Sequence, residues 1–124
     1  MLIGLGMVAS TQGDYAEARV LYGESLTMTR QLRDRRVIAH SLEGMTGVAQ
    51  GQSQSSRAAR LGGAASALRA SIGSPRSPAE QEEIDQQVAA VREALGEAVF
   101  AAAWDAGRAM IWEQVVKYTL SEGE

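Results

Sequence analysis

The sequence predicts an all-α protein: helical hairpins, a short linker and a C-terminal helical cap, about seven helices in all. Three observations lead there. The good helix formers alanine, leucine, glutamate, glutamine and arginine dominate the 124 residues. Runs rich in Val, Ile, Thr and Tyr, the mark of strands, are absent. A hairpin-length pattern also recurs at a shift of 40 residues, and a repeat decides a fold more firmly than local propensity does.

The recurrence joins residues 5–26 to residues 45–66, with Leu5 on Met45, Ala9 on Ala49, Ala18 on Ala58 and Leu21 on Leu61. Each copy runs from an apolar helix through a polar turn to an amphipathic helix. The turn is Gln12-Gly13-Asp14 in the first copy and Gln52-Ser53-Gln54 in the second. Two antiparallel helices approach closely only where side chains are small. Gly6, Ala9, Ala18 and Ser25 are therefore expected at the crossing, with Tyr15 and Tyr22 filling the wedges beside it. Gly13 permits the tight turn and Asp14 supplies an N-cap for the second helix. The second copy is degenerate, with Ser53 in place of the glycine and Gly62 in place of the tyrosine.

The expected helices span roughly 1–12, 14–31, 35–50, 55–73, 78–95, 97–106 and 112–121. Ser77-Pro78-Ala79-Glu80 opens the fifth as a capping box with proline in the first turn. Its apolar stripe, Ile84, Val88, Val91 and Leu95, has helical spacing, and Gly96 ends it. Phe100 and Trp104, four apart, read as core residues of the sixth helix. The organisation is two hairpins over 1–73, a flexible linker over 74–77, and an acidic C-terminal cap over 78–124.

Leu5-Gly6, Ala9, Gly13, Tyr15, Ala18, Tyr22 and Ser25 resemble the signature of the tetratricopeptide repeat. From Arg57 on, further words are similar to the end of the tetratricopeptide region in bacterial signal-transduction ATPases and LuxR-type transcriptional regulators. They are Arg57-Ala58-Ala59-Arg60-Leu61, Leu95-Gly96-Glu97-Ala98, Phe100-Ala101-Ala102-Ala103-Trp104 and Gly107-Arg108-Ala109. The resemblance implies tetratricopeptide-like hairpins in an α-α superhelix, cut from a larger regulator or standing alone. Neither a phosphate-binding glycine loop nor a DNA-reading helix-turn-helix accompanies it, so ATPase and direct nucleic-acid binding are not expected of this chain. It further implies a concave face built from the first helix of each hairpin. That places Ile3, Met7, Ser10 and Thr11 in a partner-binding groove from the first copy, and His40, Glu43, Gly47 and Gln50 from the second.

Composition narrows the chemistry. With no cysteine, disulfides, thiolate catalysis and zinc–thiolate sites are excluded. His40 is the only histidine, and Glu43 shares its helix face. The pair completes neither a metal site nor an acid–base constellation, so an exposed or partner-facing role is expected, with no catalytic residue, metal or cofactor. The acidic run Glu80–Asp85 lacks the glycine and alternating spacing of a calcium loop and reads as a solvated helix start. The arginines at 30, 33, 35 and 36 lack neighbouring aromatic residues for stacking on bases.

Residues 1–76 carry nine arginines against five acidic residues, whereas residues 77–124 carry three basic against ten acidic. Met1-Leu2-Ile3-Gly4-Leu5-Gly6-Met7-Val8 is apolar nearly all round, too short to span a bilayer, and without the basic start of a signal peptide. A helix of that kind needs covering, which predicts a homo-oligomer through the N-terminal helix and, by default, a cytoplasmic place. The functional expectation is a non-catalytic module that binds a protein or peptide in a regulatory system. The rival is an effector-sensing domain, which a deep pocket lined by Trp104, Trp112 and Tyr118 would favour.

Overall fold

The computed structural model describes residues 2–121, with side chains from residue 4 on. Among them are seven helices and no strand: α1 (Leu2–Thr11), α2 (Tyr15–Leu32), α3 (Arg35–Gly51), α4 (Ser55–Ile72), α5 (Pro78–Leu95), α6 (Glu97–Arg108) and α7 (Trp112–Leu120). The all-α expectation and the number of helices hold.

Local chemistry sets the helix starts. The Asp14 carboxylate accepts from the Glu17 amide, and Asp34 from the Val37 amide, each at 3.2 Å. These are N-caps of the ordinary kind, satisfying amides that a first turn leaves orphaned. At α5 the capping box closes in both directions: Glu80 N donates to Ser77 Oγ at 3.3 Å, and Ser77 N to Glu80 Oε1 at 3.1 Å. The two hairpin turns share one backbone device. Gly13 has φ +80° and Ser53, its counterpart 40 residues on, has φ 61°. A serine thus holds the left-handed conformation that glycine adopts freely.

Packing follows chain order and then departs from it. Helix α1 lies on α2 and α3, α2 on α3, and α3 on α4. The small residues named from the repeat are buried at these contacts, Ala18 completely. The Tyr22 ring is wedged between α1 and α3: a Cβ at Gly6 would lie 3.0 Å from it, and one at Gly44 only 2.3 Å. Helix α6 runs close along α4. A Cβ added at Gly107 would stand 1.9 Å from the Arg60 carbonyl, and one at Gly63 would stand 2.2 Å from the Trp104 carbonyl. The indole of Trp104 lies where a side chain at Gly62 would have to go. It stacks on Phe100 with ring centroids 5.5 Å apart.

Helix α7 turns back across α2, α3 and α4. Arg57, fully buried in α4, donates to the Thr119 carbonyl at 2.5 Å and lies 5.2 Å from the Tyr118 ring. Arg19 of α2 donates to the Ser121 carbonyl at 3.3 Å. Two cations at the end of α7 suit both its unsatisfied carbonyls and its dipole.

One hydrophobic core therefore continues from Ala9 through Leu42 and Leu61 to Phe100 and Val116. The boundary drawn at 74–77 does not interrupt it. Nor is that segment loose, as a Gly-Ser-Pro run suggests. Arg69 Nη1 donates to the Ser74 carbonyl at 3.1 Å, and the buried Arg76 guanidinium is ion-paired to Glu43. No helix among the described residues is long and apolar enough to cross a membrane.

Candidate functional site

A cleft of about 160 Å³ opens where α1, α3 and α5 face one another. From α1 come Met7, Ser10 and Thr11; from α3 come His40, Glu43, Gly44 and Gly47. Glu80, Glu83, Ile84 and Gln87 of α5 form the remaining wall, and Tyr22 reaches in from α2. Six of the eight residues expected in a groove are thus brought together. Ile3 lies outside the described side chains. Gln50 is not among the cleft walls: it is half-buried in the last turn of α3, where its Oε1 accepts from Ser55 Oγ at 3.4 Å.

The floor is built by the tyrosine wedge. Because Gly6 and Gly44 carry no side chains, the Tyr22 ring passes between two helices and its tip reaches the cleft. Burial raises the pKa of its hydroxyl, and the Glu83 carboxylate raises it further. Tyr22 is therefore a neutral hydroxyl, able to donate and to accept.

Glu43 does not behave as its neighbour His40 does. Expected on an exposed or partner-facing face, it is buried. Arg69 grips it in bidentate fashion, Nε to Oε2 at 2.5 Å and Nη2 to Oε1 at 2.9 Å, and Arg76 Nε adds a third bond at 2.5 Å. The hydrogen bonding to Glu43 raises the Arg69 pKa against the lowering effect of burial. The correction has a simple cause. The i, i+3 spacing that puts His40 and Glu43 on one face cannot tell that α4 and the 73–77 segment cover half of that face. His40 stays half-buried at the cleft, facing Glu80, whose carboxyl is held below its usual pKa chiefly by hydrogen bonds from Ser77 and only secondarily by His40.

The α5 wall was missed for a related reason. Glu80, Glu83, Ile84 and Gln87 stand at i, i+3, i+4 and i+7, one face of a helix, and that spacing was the available signal. Glu80 and Glu83, in an acidic run, read as solvated, while Ile84 read only as part of the apolar stripe of α5. In the fold, Ile84 and Gln87 are half-buried, and Gln87 Oε1 is buried with no hydrogen-bond partner among the described residues. The cleft thus has an acidic and amide-lined wall, a hydroxyl-bearing floor and an apolar side chain, Met7, opposite. No group of three or more His, Cys, Asp and Glu among the described residues is placed to hold a metal ion.

The three aromatics named for an effector pocket do not converge. Trp104 packs on α4, Tyr118 lies near Arg57 and Arg60, and Trp112 lines a separate pocket beside Arg35 and Arg108. Comparison with family models, curated proteins and solved structures finds no match for this chain.

Proposed function

We propose that this chain is a non-catalytic interaction module, with tetratricopeptide-like hairpins that dock a peptide segment of a regulatory protein in the α1–α3–α5 cleft. The observation that carries the reading is the cleft itself, which gathers residues from the first helices of both hairpins and from α5. Its volume of about 160 Å³ suits one inserted side chain. A drug-sized ligand needs roughly 300 Å³ or more. Glu80, Glu83 and the unpaired Gln87 oxygen are acceptors, so the inserted side chain is a donor, lysine or arginine. Ser10 and His40 offer hydrogen bonds to the peptide on either side.

The second face of α1 supports self-association. Leu5 and Val8 are more than half exposed and take no part in the cleft, leaving an apolar strip for a second copy of the chain.

Screening the protein against an array of random peptides tests the docking reading. Binders are expected to share a basic residue, and Glu83→Lys, an exposed change, is expected to abolish their binding without moving the melting temperature. Binders unaffected by both Glu83→Lys and Ser10→Trp would remove the cleft from the account.

A further inference from the structure

A second concavity, of about 270 Å³, lies away from the cleft, between the start of α3, the end of α4 and the α6–α7 turn. Its walls are apolar apart from Ser71, whose hydroxyl already donates to the Leu68 carbonyl at 2.8 Å. Leu42 and Val115 are buried at its base, and Leu68, Met110 and Trp112 complete it. No carboxylate lines it. Two exposed guanidinium groups do: Arg35, whose Cζ is 5.9 Å from the Trp112 ring centroid, and Arg108 at the end of α6. Neither is ion-paired among the described residues, whereas Arg69, Arg76 and Arg92 all are.

These features select a ligand by chemistry. An apolar base gains from a hydrocarbon body and loses from a polar one, because nothing there replaces the hydrogen bonds of water. Two guanidinium groups repel cations and pair with planar carboxylates through their forked donors. A bare phosphate or sulfate would satisfy the arginines and leave the walls wet. A neutral hydrocarbon would fill the walls and leave the arginines without an anion. The volume is just below the usual range for ligand pockets, roughly 300–1,000 Å³, so the body is short.

We propose that this pocket binds a small apolar carboxylate, with its chain against Leu42, Trp112 and Val115 and its head between Arg35 and Arg108. The site does not depend on the peptide-docking reading: it shares no residue with the cleft.

The chain has two tryptophans, so a nitrogen–proton correlation spectrum carries two indole signals that separate the pocket from the core. Titration with octanoate is expected to move the Trp112 signal to saturation and leave that of Trp104 in place. Octanol, with the same chain and no charge, is expected to bind about tenfold or more weakly, the worth of a charge-assisted pair. In the Arg35→Gln, Arg108→Gln double variant, both positions being exposed, the two probes should bind alike. An unmoved Trp112 signal, or octanol binding as tightly as octanoate in the unaltered protein, would overturn the proposal. A peptide ending in leucine with a free carboxylate that displaces octanoate at lower concentration would overturn it in favour of a peptide terminus.

Discussion

Arg69 holds Glu43 by two parallel hydrogen bonds, from Nε to Oε2 and from Nη2 to Oε1, and so ties α4 to α3 inside the core. Arg76 completes the arrangement from the 73–77 segment. Three charges are thereby taken largely out of water. Such a group is worth little against an apolar replacement of the same shape, yet breaking it by removing one member is costly. Glu43→Ala leaves two guanidinium groups facing no anion and is expected to destabilise the fold by about 3–5 kcal/mol. The exposed Arg92–Glu97 pair at 3.3 Å is the control, and Glu97→Ala, which leaves Arg92 over the Phe100 ring, should cost less than about 1 kcal/mol. Urea unfolding of the two variants measures both. Equal midpoints would contradict the buried network.

The hairpin crossing gives a second expectation. Ala18 is fully buried between helices, and Ala16, two residues earlier, is exposed. Ala18→Leu is expected to overpack the crossing by roughly 1–3 kcal/mol, while Ala16→Leu stays near neutral. Thermal melts of the two variants should differ by several degrees. The same melting temperature for both would contradict the register of α2.

The second turn is open to improvement. Ser53 sits at φ 61°, and Gln54, the N-cap of α4, makes no side-chain cap bond and leaves its Oε1 buried and unpaired. The first turn answers both needs with Gly13 and Asp14. Ser53→Gly and Gln54→Asp are each expected to stabilise by about 1 kcal/mol. A loss of stability in both would mean that the two turns are not equivalent.

Acid should weaken the start of α5. Hydrogen bonds from the Ser77 amide and hydroxyl hold the Glu80 carboxyl below its ordinary value of 4.5. The folded state therefore takes up this proton less readily than the unfolded chain does. The contribution is present above that ordinary value and is lost as pH falls through the lower, folded-state one. Ser77→Ala should melt lower than the unaltered protein at neutral pH, and the gap should narrow on acidification to about pH 3, leaving the pH-independent cap bond to the Glu80 amide. A gap that widens instead would contradict the capping box.

Self-association through α1 is tested by sedimentation equilibrium at micromolar concentration. A dimer is expected, and Val8→Glu, at an exposed position, should return it to monomer. A monomer in the unaltered protein would contradict the second role given to α1.

Much of the fold was written in local pattern. Seven helices, the Ser77 capping box and burial at Ala18 and Phe100 follow from periodicity, caps and small-residue spacing. What was not readable depends on contacts between segments far apart in the chain. Nothing in the run Gly73-Ser74-Pro75-Arg76 announces that Arg76 reaches Glu43, 33 residues back. Trp112 and Tyr118 were evident as large aromatic surface, but not that α7 crosses to α2, α3 and α4. The cleft was half visible for the same reason. Met7, Ser10, Thr11 and Gly47 lie in the recurring copies and His40 and Glu43 on the helix that opens the second, whereas Glu83 and Gln87 belong to a helix outside them.

Docking in the α1–α3–α5 cleft is the central claim, and the methionines report on it directly. Of the five in the chain, Met7 lines the cleft, Met28 is exposed on α2, Met45 is buried in the core and Met110 lines the other pocket. With methyl-labelled methionine, titration of a basic peptide chosen from the array should shift the Met7 signal in step with binding. The signals of Met28, Met45 and Met110 should stay in place. A peptide that binds while Met7 is unmoved and Met28 or Met110 shifts would contradict the account, because its docking face would then lie elsewhere on the helices.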